Sequence, residues 1–430
     1  MSRVLCGELE KHVGAPVTVK GWVHRIRSLG QVRFIIVRDR SGLAQAVLSG
    51  ELARSPHLSC ETAVSVTGNV VEAPNVPGGC EIQATGVVVE SAPVSSIPFE
   101  VNLPEITAGL EKILEHRVVS LRHPKSRAVF KVQAEAIEGF RRFLRANDFI
   151  EVHTPKIVAS GTEGGAELFS VDYFGKPAYL AQSPQFYKQM LVGAGFERVF
   201  EVAPAYRAEE HNTSRHLNEF ISLDLEMGFI DGLEDLLSLE ERLFQYMFAH
   251  IRETCGKELA MFGVELPQVT TIPRLKLSEI ETILRREYGK ALPNGNLDPE
   301  GERLICQYVE KEAGTPFVFA THYPVTSRPV YAMPDPESPD LTLSFDLLFK
   351  GLEMNSGGMR INDYHQLVGN MGRFGLDPDS FAGYLEVFKY GMPRHGGFAI
   401  GAERLTARIL ELGNIREASL FPRDRERLTP

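Results

Sequence analysis

Between residues 15 and 90 apolar and polar positions alternate in short runs, at 17–23, 32–38, 43–48, 63–71 and 81–89, each closed by glycine, serine, aspartate or proline. A period of two predicts strands with one buried face, and five of them at this spacing predict a small barrel of the OB kind. Arg38-Asp39-Arg40-Ser41-Gly42 reads as a turn between two strands, and Pro74, Pro77, Gly78 and Gly79 as a looser joint. From Ser91 to Pro104 the period lapses and prolines recur at 93, 98 and 104, which predicts a linker.

The period then lengthens. Val129, Val132, Ala136, Phe140 and Phe143 recur at helical spacing with arginines and glutamates between them, predicting one long amphipathic helix. The polar turn at Asn147-Asp148 ends it, and Phe149 to Pro155 follows as a short extended run. Between 196 and 230 the period of two returns, predicting two strands around a polar loop. In the second, Phe220, Ser222, Asp224, Glu226 and Gly228 share one face, and Ile221, Leu223, Leu225 and Met227 share the other. If the apolar set packs on helices, an aromatic ring and carboxylates face a cleft. Residues 233–252 read as a helix, 270–340 mix helices with proline loops, and Gly396 to Gly401 leads as a strand into a helix running to Leu412.

A chain of 430 residues with 43% hydrophobic residues can bury two or three domain cores. Its formal charge of −10 excludes a uniformly basic protein that holds nucleic acid by global attraction. Lys20, Arg25, Arg27, Arg33, Arg38 and Arg40 nevertheless stand against Asp39 alone between residues 20 and 40, a local surface suited to a polyanion or simply to solvent. The five cysteines form no CxxC pair and no cluster with histidine, so zinc is not indicated. No targeting segment and no apolar run of membrane length is present. A cytoplasmic setting without membrane attachment is the simplest expectation.

Several polar sets could carry chemistry. Glu163 lies in the glycine-rich Ser160-Gly161-Thr162-Glu163-Gly164-Gly165, where the backbone can approach a ligand or simply flex. Gln185 and Lys188, just after Pro184, fall three apart on one helix face. Arg207, Glu209, Arg215, His216 and Glu219 surround the polar loop and could build a nucleotide pocket or pair with one another. In Glu353-Met354-Asn355-Ser356-Gly357-Gly358-Met359-Arg360, Glu353 and Ser356 offer oxygens for hydrated Mg2+ and Arg360 a fork for a carboxylate. Arg404 sits near a helix N-terminus, where an incoming anion explains a cation better than helix stability does. GxxxxGK and a placed GxGxxG are both missing, which disfavours P-loop and Rossmann nucleotide enzymes.

Phe149 to Pro155, Phe200 to Glu209 with Arg207, and Gly401-Ala402-Glu403-Arg404 together resemble, in order and separation, the three motifs of class II aminoacyl-tRNA synthetases. The nearer likeness is to aspartyl-tRNA synthetases of the compact archaeal and eukaryotic type. It covers essentially the whole chain, and about 190 residues between Arg207 and Gly401 leave no room for the long bacterial insertion. The resemblance implies an α+β protein with an N-terminal OB-fold β-barrel over 1–100 that binds the anticodon. A hinge over 101–128 would join it to a class II catalytic domain over 129–430. That domain would be an antiparallel sheet flanked by helices, with a helical and loop insertion near 240–330.

By the same likeness, Glu163, Gln185 and Asp224 would hold the amino acid, and Lys188 and Arg360 would read the aspartate side chain. Arg207 would contact the ATP α-phosphate and Arg404 the γ-phosphate, with Phe220 beneath adenine and Glu209 and His216 in the nucleotide loop. Glu353 and Ser356 would approach Mg2+, while Phe34 and Gln45 would stack with and read the middle anticodon base. The implied reaction is ATP-dependent aspartylation of tRNA-Asp by a homodimer. tRNA-Asn would be a second acceptor in some members, corrected by an amidotransferase. His24 and the 74–79 loop are the places where that choice could reside. An asparaginyl-tRNA synthetase and a catalytically silent tRNA-binding protein are the alternatives.

Overall fold

The computed structural model describes residues 3–54, 58–161, 167–210 and 213–430. It divides into two compact units, Met1–His123 and Pro124–Pro430, the division falling inside the span expected as a hinge.

In the first unit the five alternating runs become β1 (Pro16–Leu29), β2 (Val32–Arg38), β3 (Leu43–Leu48), β4 (Ala63–Glu72) and β5 (Cys80–Ser91). Val19, Ile35, Val66 and Ile82 point inward and are fully buried, because every second position faces the core. Antiparallel ladders join β1 to β2 and β4, β2 to β3, and β4 to β5. Strands β3 and β5 run the same way and meet through only two residue pairs, Ala46 with Ile82 and Val47 with Gln83. The five strands thus close around their core in the order β1-β2-β3-β5-β4, the closure passing through this short parallel seam. The basic surface also loses a member. Arg38 is buried and forms a two-pronged ion pair with Glu61 at 2.9 and 2.8 Å, while Lys20, Arg25, Arg27 and Arg40 remain exposed. Two short helices, α1 (Leu110–Glu115) and α2 (Arg117–Ser120), complete this unit.

The second unit opens with α3 (Pro124–Ala146), β6 (Ile150–Glu151) and a three-stranded sheet of β7 (Ile157–Val158), β8 (Ser170–Tyr173) and β9 (Lys176–Leu180). There follow α4 (Gln185–Leu191), β10 (Arg198–Tyr206), β11 (Glu219–Gly228), α5 (Leu233–Thr254), α6 (Gly256–Phe262), β12 (Arg274–Lys276), α7 (Leu277–Tyr288), α8 (Pro299–Ala313) and β13 (Phe317–Thr321). The hairpin β14 (Pro334–Asp335) and β15 (Ser338–Thr342) precedes β16 (Ser344–Phe349), β17 (Leu352–Arg360), α9 (Tyr364–Arg373), α10 (Ala382–Leu385), β18 (His395–Gly401) and α11 (Ala402–Ile409).

Eight strands form one sheet in the order β12-β13-β16-β17-β18-β11-β10-β6, antiparallel except at its two edges. The region expected as a helical and loop insertion therefore also supplies two strands to that sheet. On one face, Leu223 and Leu225 pack with Phe140 of α3 and Phe244 and Phe248 of α5 in an apolar core. Within it Phe317 and Phe349 stack at 4.3 Å. That face anchors the sheet, and the other is left for polar groups. No described helix is long and apolar enough to cross a membrane, and the five thiols are free.

Candidate active site

Alternation along β11 sends Leu223, Leu225 and Met227 into the core and Ser222, Asp224 and Glu226 to the opposite face. There a cleft of about 280 Å³ opens over β11, β17 and β18. Across the strands Asp224 lies opposite Ala399, and Glu226 opposite Gly397. A side chain at 397 would place its Cβ 2.1 Å from the Leu225 carbonyl and 2.4 Å from Glu226 Oε2, so only glycine admits this contact.

One end of the cleft is lined by Gln185, Asp224 and Arg360, with Tyr331 at 5.2 Å from the Arg360 guanidinium. Arg360 donates from Nε to Glu226 Oε1 at 3.0 Å and from Nη2 to the Gly397 carbonyl at 3.0 Å and to Gln185 Oε1 at 3.4 Å. Lys188 departs from its expected place. It is fully buried and outside the cleft lining, donating to Asp224 Oδ1 at 2.9 Å and lying 3.5 Å from Glu226 Oε2. The two cations therefore converge on Glu226, an internal acid. Burial pushes Glu226 upward, but Arg360 and Lys188 outweigh it and hold the group below the ordinary carboxylate range. His395, packed beside this pair, is pushed down to about 4 by burial. Glu163 lies outside the described residues.

At the other end Arg207 lies over Phe220, its guanidinium 5.5 Å from the ring centre. His216 Nε2 stands 3.3 Å from Glu209 Oε2 and its Nδ1 meets Thr213 Oγ1 at 2.6 Å, so both residues belong to one loop network. Arg404, in the first turn of α11, donates to the Glu353 carbonyl at 3.2 Å. Beside it Glu403 accepts the Ile221 amide, and burial raises this acid to about 7. Arg207, Glu209, His216, Phe220, Glu353, Ser356 and Arg404 all line the same cleft.

Sequence reasoning missed Asp346, Glu302 and Arg328 beside the cleft. Asp346 lies directly opposite Ser356 across β16 and β17, and with Glu353 and Glu302 it lines an adjoining cavity of about 190 Å³. Its Oδ2 pairs with Arg328 at 2.8 Å, while Oδ1 is buried without a partner. Burial and the Glu353 charge raise Glu302 to about 7, and burial and Asp346 raise Glu353. The alternation Ser344-Phe345-Asp346-Leu347 carried the same two-faced signal as 220–228. Arg328, from a proline-containing loop, had no periodic signal at all.

Another missed residue, Glu81, lies in the N-terminal unit. Phe34 and Gln45 occupy one face of β2 and β3, since Gln45 opposes Ile36 and Phe34 opposes Val47. Gln45 donates to Glu81 Oε2 at 2.7 Å, and Gln83 donates to its other oxygen at 2.9 Å, so Glu81 orients the amide. His24 sits at a bulge in β1 with its Nδ1 3.0 Å from Arg38.

An antiparallel sheet whose polar face carries Arg207 on β10 and β11's loop, and Arg404 on the strand-to-helix turn, defines a class II aminoacyl-tRNA synthetase. The family of tRNA synthetases class II (D, K and N) matches residues 109–425, and an OB-fold nucleic acid binding domain matches 17–106. The aspartate–tRNA(Asp/Asn) ligase of Thermus thermophilus is 50% identical, covering 100% of both chains. That of Deinococcus radiodurans is 48% identical over 100% of this chain and 99% of its own. The solved asparaginyl-tRNA synthetase of Pyrococcus horikoshii with asparaginyl-adenylate superposes with a TM-score of 0.93 at 33% identity, covering 100% of both. The chain belongs to the class II aspartyl-tRNA synthetase family, and is a ligase.

Proposed function

We propose that the chain activates L-aspartate with ATP and transfers the aspartyl group to the terminal adenosine of tRNA-Asp, and that tRNA-Asn is a second acceptor. The observation that carries the amino-acid choice is the buried quartet of Lys188, Asp224, Glu226 and Arg360. Glu163 would hold the substrate amino group, with Gln185 and Asp224 helping to fix the amino acid. Lys188 acts from behind by fixing Asp224, and Arg360 meets the side-chain carboxylate. Asparagine would turn an amide N–H towards guanidinium donors, leaving donors unpaired in a dry pocket. The alternative asparaginyl reading shares the fold, so this charge complementarity is what opposes it. The silent-binder reading is opposed by Arg207, Glu353, Arg360 and Arg404 lining one cleft.

The aspartate α-carboxylate attacks the ATP α-phosphate, forming aspartyl-adenylate and releasing pyrophosphate, and a terminal hydroxyl of tRNA then displaces AMP. Arg207 would brace the α-phosphate and Arg404 the γ-phosphate, with Phe220 beneath adenine. The acidic set fits a divalent cation. Asp346 has an orphaned oxygen, and burial together with neighbouring carboxylates raises Glu302 and Glu353, so a bound cation would favour their charged forms. Among the described residues no three His, Cys, Asp or Glu side chains form a complete ligand set. Glu353 and Ser356, with Asp346, would therefore hold Mg2+ together with phosphate oxygens. When bound, the ion supplies neutralisation of phosphate charge.

The dual acceptor reading rests on the Asp/Asn names of the relatives at 48 and 50% identity, and product on tRNA-Asn would need an amidotransferase to correct it. Phe34 and Gln45 would read the middle base, which the two tRNAs share. Charging of separate tRNA-Asp and tRNA-Asn transcripts with aspartate tests it. Both should be aspartylated, and tRNA-Asn left uncharged while tRNA-Asp is charged would refute the second acceptor. The exposed Pro155 lies in the first motif, through which we expect a homodimer. Sedimentation showing only monomer at assay concentration would count against it.

A further inference from the structure

Beneath the strand that carries Glu353 and Ser356 lies a polar pair the reaction does not use. Glu240 sits on α5 inside the apolar core, fully buried among Leu236, Leu237, Leu243 and Phe244, and neither carboxyl oxygen has a hydrogen-bond partner. Asn355, on the strand β17 that α5 packs against, is also buried, and neither end of its amide has a partner. Burial drives Glu240 well above the carboxylate range, with the Asn355 amide opposing that rise and the Asp346 charge adding to it. Burial thus favours the protonated form, whose O–H can donate to the Asn355 amide oxygen while its other oxygen accepts from the amide N–H, a pairing that would satisfy these otherwise unpartnered atoms.

The strand is irregular at this point. Asn355 pairs with Leu347, yet the next residue of β16, Leu348, pairs with Glu353, so Met354 has no opposite number. In a regular strand residues 353 and 355 would share a face. The bulge breaks that alternation, and Glu353 reaches the cleft beside Ser356, whose Oγ donates to Glu353 Oε1 at 3.2 Å. We infer that Glu240 is a positioning residue: by holding Asn355 it fixes the bulge at Met354 and so aims Glu353 and Ser356 at the cation and the ATP phosphates. This rests on the cation set proposed above.

Stability does not explain the pair. An acid buried among apolar side chains and incompletely bonded is commonly replaced by a hydrophobic group of similar volume at no loss of stability. Glu240→Met should melt no lower than the wild type. Glu240→Gln keeps the shape and polarity of the neutral acid.

The test uses full-length Glu240→Gln, Glu240→Met and Asn355→Leu chains. It measures the melting temperature, and by calorimetry the affinity for Mn2+ in the presence of a non-hydrolysable ATP analogue. Glu240→Gln should stay near wild type, Glu240→Met should bind Mn2+ about tenfold more weakly, and Asn355→Leu should match it. The Met/Leu double variant should be no worse than either single one, because both break one contact. Wild-type Mn2+ affinity in Glu240→Met overturns the inference. So does an equal loss in the Gln and Met variants, or a Met variant that melts well below the wild type. Glu353→Gln tests the cation set separately: unchanged Mn2+ binding there would overturn that reading instead.

Discussion

The two units treat their polar side chains in opposite ways. On the N-terminal sheet Gln45 is half-buried, already bonded to Glu81, and set on a face rimmed by exposed Arg25 and Arg27. In the cleft, Asp224, Glu226 and Arg360 are buried, and the described atoms include unpartnered Asp224 Oδ2, Arg207 Nε and Asp346 Oδ1. A surface kept wet can read a base by stacking and one directed amide at modest energies. A dry cleft makes each fixed charge count for more, and its orphaned atoms are places where substrate charge completes the network. Recognition of RNA and activation of an amino acid thus call for different degrees of burial on one chain.

The strongest way to break this comparison is a double dissociation. Arg207→Ala should lower amino-acid-dependent pyrophosphate exchange by about 10²–10³-fold or more, the scale of a lost transition-state contact, while leaving tRNA affinity unchanged. Phe34→Ala should do the reverse: roughly 5–150-fold lower kcat/KM for tRNA, with pyrophosphate exchange intact. If either substitution moved both readouts equally, the two regions would not be separable.

A smaller effect should follow from burial itself. Glu403 titrates at about 7 in the folded chain against an ordinary value near 4.5, because burial disfavours its charge. Between these values the folded state holds more proton than the unfolded state, so this group's contribution to stability falls as pH rises from 4.5 through 7. Glu403→Gln should therefore gain on the wild type above pH 7, by up to about 3 kcal/mol, and lose that advantage towards pH 4.5. Thermal melts across that range check the sign, and a difference independent of pH would reject it.

Legibility from sequence followed the same division. Strands with one buried face announce themselves by alternation, so β2 to β5 and the two-faced β11 were readable to within two residues, whereas β1 runs six residues past its expected end. Strand β13 was not, because Phe317 to Thr321 are all buried and a continuous apolar run has no period. The two-residue seam between β3 and β5 is a matter of which ends meet in space, which local pattern does not encode. Lys188 could be placed on a helix face beside Gln185, but which of the two would be sealed behind Asp224 depends on packing between positions 36 apart in the chain. Arg328 comes from an irregular loop and was invisible for the same reason.

The central claim is that a charged, buried quartet selects a carboxylate side chain. Pyrophosphate exchange driven separately by aspartate and by asparagine, with no tRNA present, tests it most directly. The account predicts rapid exchange with aspartate and essentially none with asparagine. Exchange that runs faster with asparagine would contradict it.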